Sequence, residues 1–124
     1  MYYAQLKNNK VHTICQLNGD HPNLVKIDSF DASKIGAYYI PESNTFDRIT
    51  LTVDKSQITA DGIDSCVFTA HIPSVIPSVD FIIDGQIVQT SIPVNQEATL
   101  TVSATKTGKI KVSVDGVSAE VEAV

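Results

Sequence analysis

The 124-residue sequence predicts an all-β chain, a β-sandwich of about seven strands over residues 48–124 preceded by a small β-hairpin module over residues 1–47. Three observations carry that reading. From Ile49 onward the apolar residues recur with period two, as strands with one face in a core and one in water require. Asp-Gly pairs fall between the alternating runs, where tight turns are needed. No segment after residue 49 keeps a helical period.

In chain order, Tyr2 to Lys7 and Val11 to Leu17 flank Asn8-Asn9-Lys10 and predict a hairpin, with Tyr2, Ala4 and Leu6 opposing Tyr3, Gln5 and Lys7. An irregular loop through His21-Pro22, a short strand at Leu24 to Ile27 and a helical turn at Asp31 to Ile35 follow. Asp31 is placed to cap the turn and Gly36 to end it. So small a segment buries little apolar surface, which predicts that it needs a partner surface.

In the second part, Ile49, Leu51 and Val53 alternate with Thr50, Thr52 and Asp54. Cys66, Phe68, Ala70 and Ile72 alternate with Ser65, Val67, Thr69 and His71, and Ala98, Leu100, Val102 and Ala104 with Thr99, Thr101 and Ser103. Between these two strands, Val79 to Val88 is more continuously apolar and broken by Asp84-Gly85, which predicts a central strand, a tight turn and a short return strand. Ile110, Val112 and Val114, then Ala119, Val121 and Ala123, make a closing hairpin across Asp115-Gly116. Asp61-Gly62 interrupts the loop between the first two strands, and Pro73, Pro77 and Pro93 fall outside the predicted central strands.

Charge excludes some classes of function. The net charge is -5, and all of it belongs to the second part, because the first 48 residues balance five basic against five acidic side chains. No cluster of Lys and Arg suits a phosphate backbone, so no nucleic-acid partner is expected. No apolar run approaches a membrane span, and the start MYYAQLKNNK has no apolar stretch behind a basic one; neither a membrane segment nor a secretory signal is expected, and synthesis in a cytoplasm is. Cys15 and Cys66 are too few and too far apart for a disulfide framework or a zinc site and read as small buried hydrophobes.

Ile58-Thr59-Ala60-Asp61-Gly62-Ile63-Asp64-Ser65, the alternating strand through Ile72 and Phe81-Ile82-Ile83-Asp84-Gly85 resemble the bacterial immunoglobulin-like domains of the invasin and intimin type, which also occur in tailed-phage structural proteins. Ala98-Thr99-Leu100-Thr101-Val102, a strand led by Gly108 and Val112-Ser113-Val114-Asp115-Gly116 complete the likeness. The first part resembles the N-terminal segment of small phage virion proteins through its Tyr-rich hairpin, Gly36-Ala37-Tyr38-Tyr39-Ile40-Pro41-Glu42 and Asn44-Thr45-Phe46. These resemblances imply an immunoglobulin-like sandwich displayed on a virion, with capsid or tail subunits as partners.

Candidate site residues are few. Tyr2, Tyr3, Tyr38 and Tyr39 are four of the eight aromatic residues and all lie in the first module. Tyrosine brings contact area and a polar tip at low entropic cost, so these four predict either a protein interface or a local mini-core, with one tyrosine of each pair facing in and the other out. Asp61 and Asp64, with Asp54 near, are candidates for a calcium loop between the first two strands, although their spacing is not that of an EF-hand and Asp-Gly is first a turn signal. They are also loop contacts for a host-surface glycan or receptor, together with Pro73 to Ser78 and Lys106 to Gly108, but no aromatic residue lies in these loops to stack on a sugar.

His12, His21 and His71 lack metal-ligand spacing, and His12 and His71 fall on predicted solvent faces. No sequence context for a Ser or Cys nucleophile and no Gly-rich phosphate loop is present, and Cys66 is expected inside, with a raised pKa. The expectation is a non-enzymatic structural protein of the virion without cofactor or metal, serving as capsid decoration or tail accessory. Two alternatives remain open: a glycan- or receptor-binding module, and an assembly factor absent from the finished particle. A homo-oligomer is compatible with each.

Overall fold

The computed structural model describes residues 1–19, 24–27 and 31–124 and is all-β apart from one 3-10 turn among those residues. It divides into two compact units, Met1–Arg48 and Ile49–Val124. The predicted loop through His21-Pro22 lies outside the described residues.

The first unit is one sheet. Strands β1 (Tyr2–Lys7) and β2 (Lys10–Gln16) form the expected hairpin. Asn8 and Asn9 both take positive φ, 53° and 65°, the two-residue turn whose twist matches that of paired strands. Strand β3 (Val25–Ile27) pairs with β1; β4 (Tyr38–Ile40) pairs with β2 and with β5 (Thr45–Asp47). The order across the sheet is β3-β1-β2-β4-β5.

The hairpin is not regular. The register slips between Gln5 and Leu6, so that Gln5 faces Thr13 while Leu6 faces Val11, and His12 is the extra residue. Val11 and Ile14 are three apart and would point to opposite faces of an unbroken strand. The bulge turns both to one face, where they are buried with Ala4 and Ile27, and Tyr2, Leu6, Val25 and Phe46 pack against them. The segment that the sequence shows as an aromatic turn is itself a hairpin, β4 and β5. At Ala32–Lys34 the chain makes the expected helical turn, with the Asp31 carboxylate accepting from the Ser33 backbone N–H and hydroxyl and Gly36 at φ 88° beyond it.

The second unit has two sheets. Strands β6 (Thr50–Val53), β8 (Ser65–His71) and β11 (Glu97–Ser103) form the smaller, in the order β11-β8-β6. The larger sheet runs β10-β9-β12-β13-β7, from β7 (Gln57–Ile58), β9 (Val79–Ile83), β10 (Gln86–Ser91), β12 (Gly108–Val114) and β13 (Val117–Ala123). All pairings are antiparallel except that of β7 with β13. The chain thus begins in one sheet with β6, steps into the other with β7 and returns with β8. The short β7 is an element beyond those that the alternation of the sequence shows.

The alternation predicts most of the core, although Val53, Ala104, Ile110 and Ala119, also expected inward, are only half-buried. Cys66, Phe68, Ala70 and Ile72 are all fully buried, as are Phe81, Val112 and Val114. Ala98, Leu100 and Val102 are buried from β11, and Val121 and Ala123 from β13. Asp84-Gly85 and Asp115-Gly116 both adopt two successive positive φ values, so each makes the tight hairpin turn its sequence predicts. Val94 and Glu97 close a further two-residue turn through Asn95 and Gln96, at φ 52° and 62°, which nothing in the sequence announces.

Because Phe68 and Leu100 are buried opposite each other on paired strands and Thr99 points outward, substitutions should separate sharply in a denaturant titration. Phe68→Ala is expected to cost about 3 to 5 kcal/mol and Leu100→Ala about 2 to 5, against under about 1 for Thr99→Ala. A costlier Thr99 would mean a register displaced by one residue.

Candidate functional site

The four tyrosines lie in the sheet of the first unit, on the two strands that flank β2 but towards its opposite ends, Tyr2 and Tyr3 across from Gln16 and Cys15 and Tyr38 across from Lys10. Adjacent residues of a strand point to opposite faces, so each pair divides. Tyr2 lies on the face of the Ala4, Val11, Ile14 and Ile27 cluster and is half-buried against it. Tyr39 shares a face with its cross-strand partner Phe46, the ring centroids 5.4 Å apart, and its hydroxyl donates to Asn44 Oδ1 at 3.0 Å.

The other two lie on the opposite face. Tyr3 is only 2 % exposed, and its hydroxyl donates to the Gly19 carbonyl at 2.6 Å, so it fastens the end of the hairpin to the chain that follows. Tyr38 is half-buried across from Lys10, whose ammonium sits 5.5 Å from the ring centroid, and across from Asp47 on the other side. A cation over a ring face is attracted by the ring quadrupole. Tyr38 therefore presents a contact surface of aromatic area bordered by one positive and one negative side chain. Of the four, Tyr3 is committed to the interior and Tyr2, Tyr38 and Tyr39 keep part of their surface.

Asp61 and Asp64 lie in the other unit. Asp61 Oδ1 accepts from the backbone N–H groups of Ile63 and Asp64, each at 2.8 Å, while Gly62 takes φ 76° and its N–H reaches the Ala104 carbonyl. Asp64 Oδ2 accepts from the Thr59 N–H at 2.8 Å, and Oδ1 from Lys55 Nζ at 3.1 Å. Asp54 Oδ1 accepts from the Val67 N–H. All three carboxylates thus act as acceptors for the chain's own donors: Asp61 and Asp64 shape the connection from β7 to β8, and Asp54 ties the end of β6 to β8. No group of three or more His, Cys, Asp or Glu side chains placed to hold a metal ion occurs among the described residues.

Backbone hydrogen bonds to the charged form hold the Asp61 and Asp64 carboxyls below their ordinary value of 3.8, those from Asp64 and Thr59 respectively contributing most. Burial raises the Cys66 thiol, with the Asp54 charge adding to it. His12 is exposed on the bulge and His71 is partly covered on β8. No helix among the described residues is long and apolar enough to cross a membrane. Comparison with family models, with curated proteins and with solved structures finds no match to this chain.

The alternation in the sequence does not reveal the surface of β10. The apolar run from Val79 reads as central, and Phe81 within it is buried, but Ile87 and Val88 beyond the turn are exposed, as are Ile92 and Val94 after the strand. The run crosses from the middle of the sheet to its edge at Asp84-Gly85, and hydropathy does not record that change of position.

Two measurements follow. A carboxyl whose folded pKa is lowered contributes stability that is present above its unfolded value and is lost as pH falls through the folded one. Asp61→Ala and Asp64→Ala should therefore lower the melting temperature at neutral pH and flatten its decline below about pH 4, an outcome that thermal scans across pH would reveal. In the native chain iodoacetamide should label the half-exposed Cys15 well before the fully buried Cys66, as mass spectrometry of the labelled peptides would show.

Proposed function

We propose that this chain is a non-enzymatic structural protein of a tailed-phage particle, in which Met1–Arg48 docks on a capsid or tail subunit and Ile49–Val124 is an immunoglobulin-like domain on display. The observation that carries the proposal is the division into two units of unlike build. One is a single sheet with tyrosines on both faces; the other is a two-sheet sandwich with a core of its own.

Two features support the immunoglobulin-like reading. The first strand is split between the sheets as β6 and β7, and β7 runs parallel to the last strand, β13, in an otherwise antiparallel unit. The resemblance of Ile58 to Ser65 and of Phe81 to Gly85 to immunoglobulin-like domains of phage structural proteins supports the location on a virion. Tyr38, with Lys10 and Asp47 beside it, supplies the kind of amphipathic aromatic anchor that protein interfaces favour.

Mass spectrometry of purified particles from the source lysate should find the chain at a fixed copy number. Tyr38→Ala should lower that number while leaving the fold intact by circular dichroism. A chain abundant in the lysate but missing from particles would contradict the reading and point to an assembly role.

A further inference from the structure

Asn18-Gly19 is the one Asn-Gly pair in the chain, and it lies just past the end of the hairpin formed by β1 and β2. Both residues are exposed, neither belongs to a strand, and the Gly19 N–H has no hydrogen-bond acceptor among the described residues. Gly19 takes φ 77° and has nothing within 4 Å of the place that a Cβ would fill. A backbone nitrogen so little crowded can approach the side chain of the residue before it. The Gly19 carbonyl, by contrast, is anchored. It accepts from the hydroxyl of Tyr3, a residue only 2 % exposed, at 2.6 Å.

Among the described residues the other candidates for the same chemistry are held back. Asn8, Asn9, Asn44 and Asn95 are followed by Asn9, Lys10, Thr45 and Gln96, whose side chains crowd the nitrogen, and all four sit in turns at positive φ. In Asp61-Gly62 the Gly62 N–H donates to the Ala104 carbonyl, while Asp61 Oδ1 accepts from Ile63 and Asp64. Asp84-Gly85 and Asp115-Gly116 present carboxylates, which are ionised at neutral pH and resist attack by an amide nitrogen far better than a neutral carboxamide does.

We propose that Asn18-Gly19 is a site of spontaneous covalent modification that converts Asn18 to isoaspartate, that the Tyr3 hydroxyl sets its pace, and that the product undoes the Tyr3 fastening. The Gly19 nitrogen, its proton taken by hydroxide, bonds to Asn18 Cγ; the Cγ–Nδ2 bond breaks and the amide leaves as ammonia, closing a succinimide ring. Water then opens the ring. Its attack at Cγ gives aspartate, and its attack at the main-chain carbonyl carbon of Asn18 gives isoaspartate, with the main chain now running through Cβ and Cγ. Nothing is oxidised or reduced, and water is the only co-reactant. Ring closure swings the Gly19 nitrogen towards Cγ, a movement that the bond from Tyr3 to the Gly19 carbonyl resists.

Either product adds one negative charge to the net -5 of the chain. Isoaspartate also lengthens the main chain before Gly19 by one carbon, which displaces the Gly19 carbonyl from the Tyr3 hydroxyl. A hydroxyl withdrawn from water and deprived of its acceptor is costly, and Met1 Sδ, at 3.4 Å, is a weak substitute. The bond from the Leu17 N–H to the Met1 carbonyl, which closes the same end of the hairpin, then loses its support. The first unit thus starts fastened and loosens with age. This chemistry does not depend on the docking role given to that unit.

The full chain, held at mildly alkaline pH and sampled by peptide mapping over weeks, should lose Asn18 ahead of Asn8, Asn9, Asn44 and Asn95, with isoaspartate and ammonia appearing in step. Tyr3→Phe keeps the ring and removes the hydroxyl, so it should speed the loss of Asn18. Asn18→Gln should release no ammonia from this site and retain the circular dichroism of the parent. Hydrogen exchange on the aged chain should quicken at the Leu17 amide and stay constant in β8 and β11. An Asn18 as durable as the other asparagines, a Tyr3→Phe chain that ages no faster than the parent, or unchanged Leu17 exchange once isoaspartate has formed would overturn the proposal.

Discussion

The face that β8 turns inward is the constraint on which the second unit depends. Cys66, Phe68, Ala70 and Ile72 are all withdrawn from water, which requires a second apolar face opposite, and β8 lies in the middle of its sheet with β6 and β11 on either side. Phe81, Val112, Val114 and Val121 supply that face from β9, β12 and β13. Burying each large side chain is worth about 1.5 to 3 kcal/mol, and a slip of one residue in any of these strands would turn the whole set outward. The tight turns assist by fixing register locally. Asp84-Gly85 and Asp115-Gly116 leave each hairpin one way to close.

This is why the second unit was largely legible in the sequence. Period-two alternation, with polar Thr and Ser on the outward positions, specifies which side chains enter the core before any strand is paired. What it does not specify is where a strand lies in its sheet. Ile87 and Val88 are as apolar as Phe81 and Ile82, yet the turn between them carries the chain from a middle strand to an edge. Strand β7 has two residues, too few for any periodicity, and it is held by backbone bonds of Ser56 and Ile58 to Glu122 and Val124. In the turn at Asn95-Gln96, Gln96 takes a positive φ that its own preferences do not favour, and the turn is closed by backbone hydrogen bonds between Val94 and Glu97 that no residue type announces.

The first unit was less legible for a related reason. Its apolar face depends on the bulge at His12, which brings Val11 and Ile14 to the same side, and a bulge exists only once two strands are paired. The hairpin of β4 and β5 has strands of three residues, so its aromatic residues read as a turn. Among the candidate site residues, the division of each tyrosine pair between two faces follows from strand geometry alone. The burial of Tyr3 and the use of Asp61, Asp64 and Asp54 as acceptors for nearby donors required knowledge of the chain's path. Acidic residues beside a glycine serve the backbone before they serve an ion, and here the backbone takes them.

The most direct test of the account is native-state hydrogen exchange of the full chain, followed amide by amide by NMR. If the inward face of β8 organises the second unit, the amides of β8, β9 and β12 should exchange only through global unfolding of that unit and share one free energy of opening. The edges β6 and β10 should open more readily. Amides of β8 that exchange as fast as those of the edge strands would contradict the account, because the core would then lie elsewhere.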